Sequence, residues 1–124
     1  MAAVDLNLTI VAHNIRSLKS KTNLHATSLL LENEKPDLLL LSETWVNTAG
    51  TVNLHHDYQG LLSPPEKYQG VAIYAKHSVN AIPHRQEAWT PNYVFCKIED
   101  LIIMSVYVNP RDKIELSETI LWFA

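Results

Sequence analysis

Hydrophobic and polar positions along the first third of the chain predict a strand, a helix and a second strand. Residues 5–12 (DLNLTIVA) begin with polar–apolar alternation and end in an apolar run, as in a strand with a buried face. Over residues 24–33, leucines recur with polar residues between them, a modest helical pattern that Pro36 ends. Residues 37–45 (DLLLLSETW) carry four consecutive leucines, which is typical of a strand buried on both faces of an α/β sheet.

A strand, a helix and a second buried strand form a βαβ unit. Its crossover is right-handed and its two strands are parallel, because only that arrangement packs the helix back onto the sheet. We therefore expect parallel neighbouring strands near 5–13 and 37–43, with a helix over 24–34 on one face. Thr22 and Asn23 are the candidate residues for the helix N-cap.

The rest of the chain adds shorter strands and a final helix. The stretch 46–69 is rich in polar and turn residues, with one short strand near 58–62. Further strands are predicted over VAIYAK after Gly70, over 93–99 and over 101–108, and the last two form a hairpin through a two-residue connection. An amphipathic helix is predicted from Asp112 onward. Because it runs apolar to the last residue, we expect the domain to be incomplete.

Length and composition predict one globular domain over residues 1–124, with 47% hydrophobic and 19% charged residues. Cys96 is the only cysteine, which excludes an intrachain disulfide and a cysteine-based zinc site. We expect an intracellular protein, nuclear or cytoplasmic. The N-terminus has no signal-peptide pattern and the apolar run 38–41 is far too short for a membrane span, so no membrane association is expected.

The formal net charge of −3 argues against a strongly basic nucleic-acid-binding surface, although it leaves room for a local one. Arg16, Lys19 and Lys21 lie close together without an acidic residue among them. They form either a local basic patch or an ordinary solvated loop.

Candidate chemistry is concentrated at the ends of strands. Asn14 follows the first strand and Glu43 ends the second, so both are expected at the carboxyl edge of the sheet, where ligands bind in open α/β folds. A carboxylate there can hold Mg²⁺, and a carboxamide can orient a phosphate; the alternative is that Glu43 only ends a strand at the surface. Tyr107 and Asn109 close the last strand, where a tyrosine serves either chemistry or packing.

Other catalytic patterns are missing from the sequence. There is no HExxH spacing, no G-x-S-x-G and no glycine-rich phosphate loop, with only three glycines in the chain. The side chains of His55 and His56 occupy consecutive positions and are expected to diverge, so a shared metal is not predicted.

The order of four segments resembles the endonuclease/exonuclease/phosphatase superfamily, and most of all the apurinic-type endonuclease domains of LINE-type (non-LTR) retrotransposons. The segments are a strand ending in N-I-R-S-L, then K-P-D-L-L-L-L-S-E-T-W, Y-Q-G-V-A-I-Y-A-K and V-Y-V-N-P, and the resemblance spans residues 5–110. The resemblance implies an α/β fold: one mixed β-sheet with helices on one face, as in half of the four-layer α/β/β/α sandwich of that superfamily.

The resemblance also implies roles for individual residues. Asn14 and Glu43 match the positions that serve the metal and phosphate, and Tyr107, followed by Asn109, matches the segment that contacts the scissile phosphate. Gly70 matches the glycine that opens the superfamily's G-V-A-I-x-V strand. The superfamily's later Asp-x-Asn and Ser/Thr-Asp-His segments have no counterpart after residue 110, so we expect the chain alone to bind Mg²⁺ weakly or not at all and to be catalytically incomplete.

Two functions follow as expectations. The first is metal-dependent phosphodiester hydrolysis in the parent domain, a DNA endonuclease of retrotransposon type. The alternative is a non-catalytic half-domain retained as a structural or interaction module. In either case we expect the sheet face that carries residues 38–41 and 101–104 to lack cover, and therefore self-association or a protein or ribonucleoprotein partner over it.

Overall fold

The computed structural model describes residues 7–46 and 52–107, in which one α-helix and seven strands are formed. Two short 3₁₀ turns, at His77–Val79 and Gln86–Ala88, connect the later strands. In chain order the elements are β1 (Ile10–Asn14), α1 (Lys21–Glu34), β2 (Leu38–Ser42), β3 (Tyr58–Leu62), β4 (Val71–Lys76), β5 (Ile82–Pro83), β6 (Tyr93–Ile98) and β7 (Leu101–Val106).

The predicted βαβ unit is confirmed. β1 and β2 are parallel neighbours, with Ile10 opposite Leu38 and Asn14 opposite Ser42. This register sets the carboxyl ends of the two strands side by side.

The predicted helix cap is wrong. The helix begins at Lys21 and its N-cap is Ser20, whose hydroxyl accepts a hydrogen bond from the Asn23 amide at 3.3 Å. The side chain of Asn23 instead donates to three backbone carbonyls of the preceding loop, those of residues 15–17, at 3.0 to 3.3 Å. That loop follows β1, so Asn23 joins the start of the helix to the end of the strand.

The strands form two sheets. The first is the predicted mixed sheet, in the order β1-β2-β4-β3, in which β4 is antiparallel to both of its neighbours. The second is antiparallel, in the order β5-β6-β7, and includes the predicted hairpin through Glu99 and Asp100. The α/β class and the mixed sheet are confirmed; the division of the later strands into a second sheet was not predicted.

Both faces of the mixed sheet are covered. Leu39 and Leu41 pack with Leu31 of the helix in one core, and Leu38 packs with residues of β6 and β7 in the other. All four of these leucines are fully buried. The expectation that residues 38–41 lack cover is therefore wrong, because the second sheet lies against them.

Exposed apolar side chains remain on β7. Leu101, Ile102 and Val106 are 43, 40 and 38% exposed to solvent, whereas Ile103 between them faces the core. The helix predicted from Asp112 lies outside the described residues. Among the described residues, no helix is long and apolar enough to cross a membrane.

Candidate active site

Asn14 and Glu43 meet at the carboxyl edge of the mixed sheet. Asn14 is the last residue of β1 and Glu43 directly follows β2, so the parallel register brings them together. The Asn14 side-chain amide donates a hydrogen bond to Oε2 of Glu43. Asn14 is exposed and Glu43 half-buried, so the pair is open to a ligand from solvent.

Backbone hydrogen bonds fix the segment that carries Glu43. Carbonyls of residues 42–44 accept bonds of 3.0, 2.8 and 2.8 Å from the amides of Ile15, Ser17 and Leu18. Glu43 itself has a φ of 54°, a left-handed conformation that non-glycine residues seldom adopt. Such a conformation persists where the surrounding structure imposes it, and it is commoner at functional sites. Backbone hydrogen bonds between the two segments thus continue beyond the ends of β1 and β2, and they hold the Glu43 carboxylate at the carboxyl edge of the sheet.

Gly70 supports the same segment from the other side. Its carbonyl accepts a 3.1 Å hydrogen bond from the amide of Thr44, whose side chain is only 2% exposed. Gly70 has a φ of +112°, and a Cβ at this position would lie 2.3 Å from Oγ1 of Thr44. Only glycine meets both conditions, which explains the residue that directly precedes β4.

Tyr107 lies just past β7, half-buried against the core between the sheets. Its amide donates to the carbonyl of Asn92 at 3.0 Å. Two residues earlier, the Ser105 hydroxyl lies 3.5 Å from the carbonyl of Leu41, which packs the end of β7 against the end of β2. The structure thus brings Asn14 and Glu43 into contact and places Tyr107 directly after β7, in the second sheet. Asn109 lies outside the described residues.

An aromatic and basic group next to Glu43 was missed by the sequence reasoning. The rings of Trp45 and Tyr68 meet edge to face with centroids 5.3 Å apart, and Tyr68 remains 63% exposed. Lys67 Nζ lies 5.1 Å from the centre of the Tyr68 ring. The Trp45 amide donates a 2.8 Å hydrogen bond to the carbonyl of Gln69, which holds this group at the carboxyl edge of the sheet. Lys67 and Tyr68, which are adjacent in the sequence shortly before Gly70, are the signal from which this group could have been predicted.

His55 and His56 also differ from their prediction. Their rings stack, with centroids 4.4 Å apart and planes inclined by 21°, instead of diverging. The reason is local: the amide of Tyr58 bonds to the carbonyl of His55 at 3.1 Å, which closes a turn. In a turn, consecutive side chains do not alternate between opposite faces as they do in a strand.

Comparison with known proteins identifies the fold. No family model and no curated protein sequence matches the chain. Among solved structures, an AP endonuclease, LMAP, from Leishmania major matches with a TM-score of 0.70 at 19% identity, over 82% of this chain and 40% of that one. The endonuclease domain of TRAS1, a telomere-specific non-LTR retrotransposon, matches with a TM-score of 0.65 at 20% identity, over 94% and 54%.

A third match is the 3′ phosphatase NExo from Neisseria, in a structure bound to a product DNA hairpin, with a TM-score of 0.66 at 18% identity over 90% of this chain and 48% of that one. The chain spans between 40 and 54% of the length of these three structures. At such identities the similarity establishes the fold alone. The chain has the fold of about half of an endonuclease/exonuclease/phosphatase domain.

Proposed function

We propose that this chain carries the metal- and phosphate-binding edge of a Mg²⁺-dependent phosphodiesterase domain, a DNA endonuclease of retrotransposon type. The observation that supports this function is the contact between Asn14 and Glu43 at the carboxyl edge of the parallel strand pair. That edge is where ligands bind in open α/β sheets.

The donor atoms at this edge suit a hard cation. Glu43 offers a carboxylate and Asn14 a carbonyl oxygen, and Mg²⁺ prefers oxygen ligands, keeps several waters and draws on one or two carboxylates plus substrate phosphates. When bound, the ion would neutralise phosphate charge and make a coordinated water more acidic. The role of the Asn14–Glu43 hydrogen bond is to orient the carboxylate before the ion arrives.

Tyr107 and Asn109 are assigned to the phosphate. The contact of Ser105, near the end of β7, with Leu41, near the end of β2, supports a position of Tyr107 close to the edge that carries Glu43. Its hydroxyl is a suitable donor to a phosphate oxygen, and the carboxamide of Asn109 would supply a second donor. These two roles rest on the strand position and on the motif resemblance.

The aromatic and basic group beside Glu43 fits a DNA strand. Tyr68 presents an exposed ring for base stacking and Lys67 a charge for the phosphate backbone, the combination used for single-stranded nucleic acid. Arg16 and Lys19, both exposed, add positive charge to the loop that follows Asn14.

We expect little hydrolysis from these residues alone. The resemblance assigns the general base and its orienting carboxylate to segments that follow residue 110 in the superfamily. Each such group typically contributes a factor of about 10² to 10⁴ to the rate. We therefore propose phosphodiester hydrolysis for a domain as long as the matched structures, and not for these residues alone.

A second candidate function is a non-catalytic interaction module. The observation in its favour is the apolar surface of β7, where Leu101, Ile102 and Val106 are each more than a third exposed. A second copy of the chain, or a protein or ribonucleoprotein surface, would cover these side chains in that case.

A binding experiment separates the two candidates. The 124-residue chain is titrated into a fluorescent oligonucleotide with an abasic site, with Mg²⁺ or with EDTA, and anisotropy gives the affinity. We expect tighter binding with Mg²⁺, and the loss of this Mg²⁺-dependent part in Glu43→Gln. Glu34→Gln alters an exposed glutamate at the C-terminal end of α1; it is the matched control and should bind as the unaltered chain does.

Nicking of supercoiled DNA is measured with the same proteins. Slow or undetectable nicking is expected, and any nicking should disappear in Glu43→Gln. Binding that is the same in Mg²⁺ and EDTA and the same in both variants would contradict the endonuclease proposal and favour the interaction module.

A further inference from the structure

A second group of metal-binding side chains lies at the opposite edge of the mixed sheet. His55, His56 and Asp57 occupy the turn that leads into β3, and each offers one ligand atom within 4.8 Å of the others. The turn lies at the start of β3, where Tyr58 pairs with Lys76, the last residue of β4. The Asn14–Glu43 pair lies where β4 begins.

The ligand atoms in this turn lie slightly farther apart than the ligands of one bound ion. Nε2 of His56 lies 3.5 Å from Oδ1 of Asp57, and Nδ1 of His55 lies 3.9 Å from Oδ2 of the same carboxylate. Zinc–nitrogen and zinc–oxygen bonds of about 2.0–2.2 Å in a tetrahedron imply ligand atoms about 3.4 Å apart. The side chains of His56 and Asp57 are 84 and 66% exposed, so their rotation toward His55 can close the difference.

Glu32 of the helix fixes the orientation of His55. The Glu32 carboxylate is hydrogen-bonded to Nε2 of His55, whose ring is only 10% exposed. Nδ1 accepts a 3.1 Å bond from the amide of Asp57, so in the neutral ring the proton resides on Nε2 and points at Glu32. A histidine that donates one N–H to a carboxylate and keeps its other nitrogen as a lone-pair donor has the arrangement typical of metal ligands.

The surroundings leave room for an ion beside the turn. A cavity of about 440 Å³ adjoins the turn, and its lining includes Glu32, His55 and Asp57 together with Lys35 and Lys76. Lys76 lies 3.9 Å from the Asp37 carboxylate, which offsets part of its charge. Two imidazoles and one carboxylate favour a borderline-soft ion over Mg²⁺, which prefers oxygen ligands.

From these contacts we propose a transition-metal site of the Zn²⁺ class, with His55 Nδ1, His56 Nε2 and the Asp57 carboxylate as ligands and a fourth position open to solvent. Binding replaces the Asp57 amide's hydrogen bond to Nδ1 with a metal bond. Glu32 is a positioning residue, and through it the ion ties the turn before β3 to helix α1. The site is independent of the proposed nuclease function.

Titration calorimetry with Zn²⁺ on the untagged 124-residue chain tests the site, with Co²⁺ absorption as a probe of geometry. We expect one ion per chain, tetrahedral Co²⁺ bands, and no competition from excess Mg²⁺. His56→Ala, at a position whose side chain is 84% exposed, should fold normally and lose about tenfold or more in affinity, because one of three ligands is gone.

Two further variants sharpen the result. Glu32→Gln should weaken Zn²⁺ binding by about 10–100-fold while keeping the tetrahedral Co²⁺ bands, as expected for a group that orients a ligand. His25→Ala removes an exposed histidine of α1 outside the turn and should bind Zn²⁺ like the unaltered chain. Unchanged affinity in His56→Ala, or an equal loss in His25→Ala, would overturn the proposal.

Discussion

Replacing Gly70 with alanine should destabilise the segment that holds Glu43. The φ of +112° at Gly70 is unfavourable for any residue with a Cβ, at a cost of about 1–3 kcal/mol. The new Cβ would also lie 2.3 Å from Oγ1 of the buried Thr44, and overpacking of this kind costs about 1–3 kcal/mol. The expected loss is therefore about 2–6 kcal/mol, a large part of the roughly 5–15 kcal/mol that stabilises a typical domain.

Urea unfolding followed by tryptophan fluorescence measures this loss. Thr44→Ala and the double variant Gly70→Ala/Thr44→Ala complete a mutant cycle that separates the two causes. Removing Oγ1 relieves the clash but not the backbone strain, so Gly70→Ala should cost about 1–3 kcal/mol less when Thr44 is already alanine. A loss below about 1 kcal/mol in Gly70→Ala alone, or independent effects of the two substitutions, would refute this reasoning.

Three further predictions concern other parts of the chain. Tyr68→Ala should weaken oligonucleotide binding about 5- to 150-fold, the equivalent of about 1–3 kcal/mol for one stacked base, whereas Tyr68→Phe keeps the ring against Trp45 and should retain the affinity in an anisotropy assay. The hydrogen bond from His55, together with the charge of His55, lowers the pKa of Glu32. The contact therefore stabilises the fold above the carboxyl's unfolded pKa, and this stabilisation is lost as pH falls through the folded pKa. In thermal unfolding across pH 2–7, the melting temperature should fall less toward acid pH in Glu32→Gln, and identical profiles would contradict the assignment. Burial raises the pKa of the Cys96 thiol to about 11, so a thiol reagent at pH 8 should label the chain only once urea unfolds it, and rapid labelling of the native chain would contradict the burial of β6.

The sequence was sufficient for the part of the site that depends on strand order. A buried run of leucines and a right-handed crossover leave one arrangement for β1 and β2, and that arrangement places Asn14 beside Glu43. No information about loops was needed, because both residues lie at strand ends.

Tertiary contacts decided what the sequence pattern could not. Ser20, Thr22 and Asn23 are all suitable caps by residue type, and Ser20 is the cap because Asn23 is used by the loop after β1. The alternation over residues 93–106 is the same whether the hairpin joins the mixed sheet or a second one, and the short β5 gave no periodic signal.

The features missed near the two sheet edges share a cause. Tyr68 lies in a polar segment without periodicity, and its contact with Trp45 joins residues far apart in the sequence. His55 and His56 stack because a turn forms there, and a turn removes the alternation from which diverging side chains were predicted. Local pattern alone determines neither contact.

Paramagnetic broadening by Mn²⁺ tests the proposed metal and phosphate site most directly. Substoichiometric Mn²⁺ is added to the ¹⁵N-labelled chain, and the amide signals that broaden locate the ion. We expect the signals of Asn14, residues 42–44 and Tyr107 to broaden first, to recover when Mg²⁺ is added in excess, and to be unaffected by Mn²⁺ in Glu43→Gln. Broadening that spares these residues, or that persists in Glu43→Gln, would contradict the assignment of Asn14, Glu43 and Tyr107 to one site.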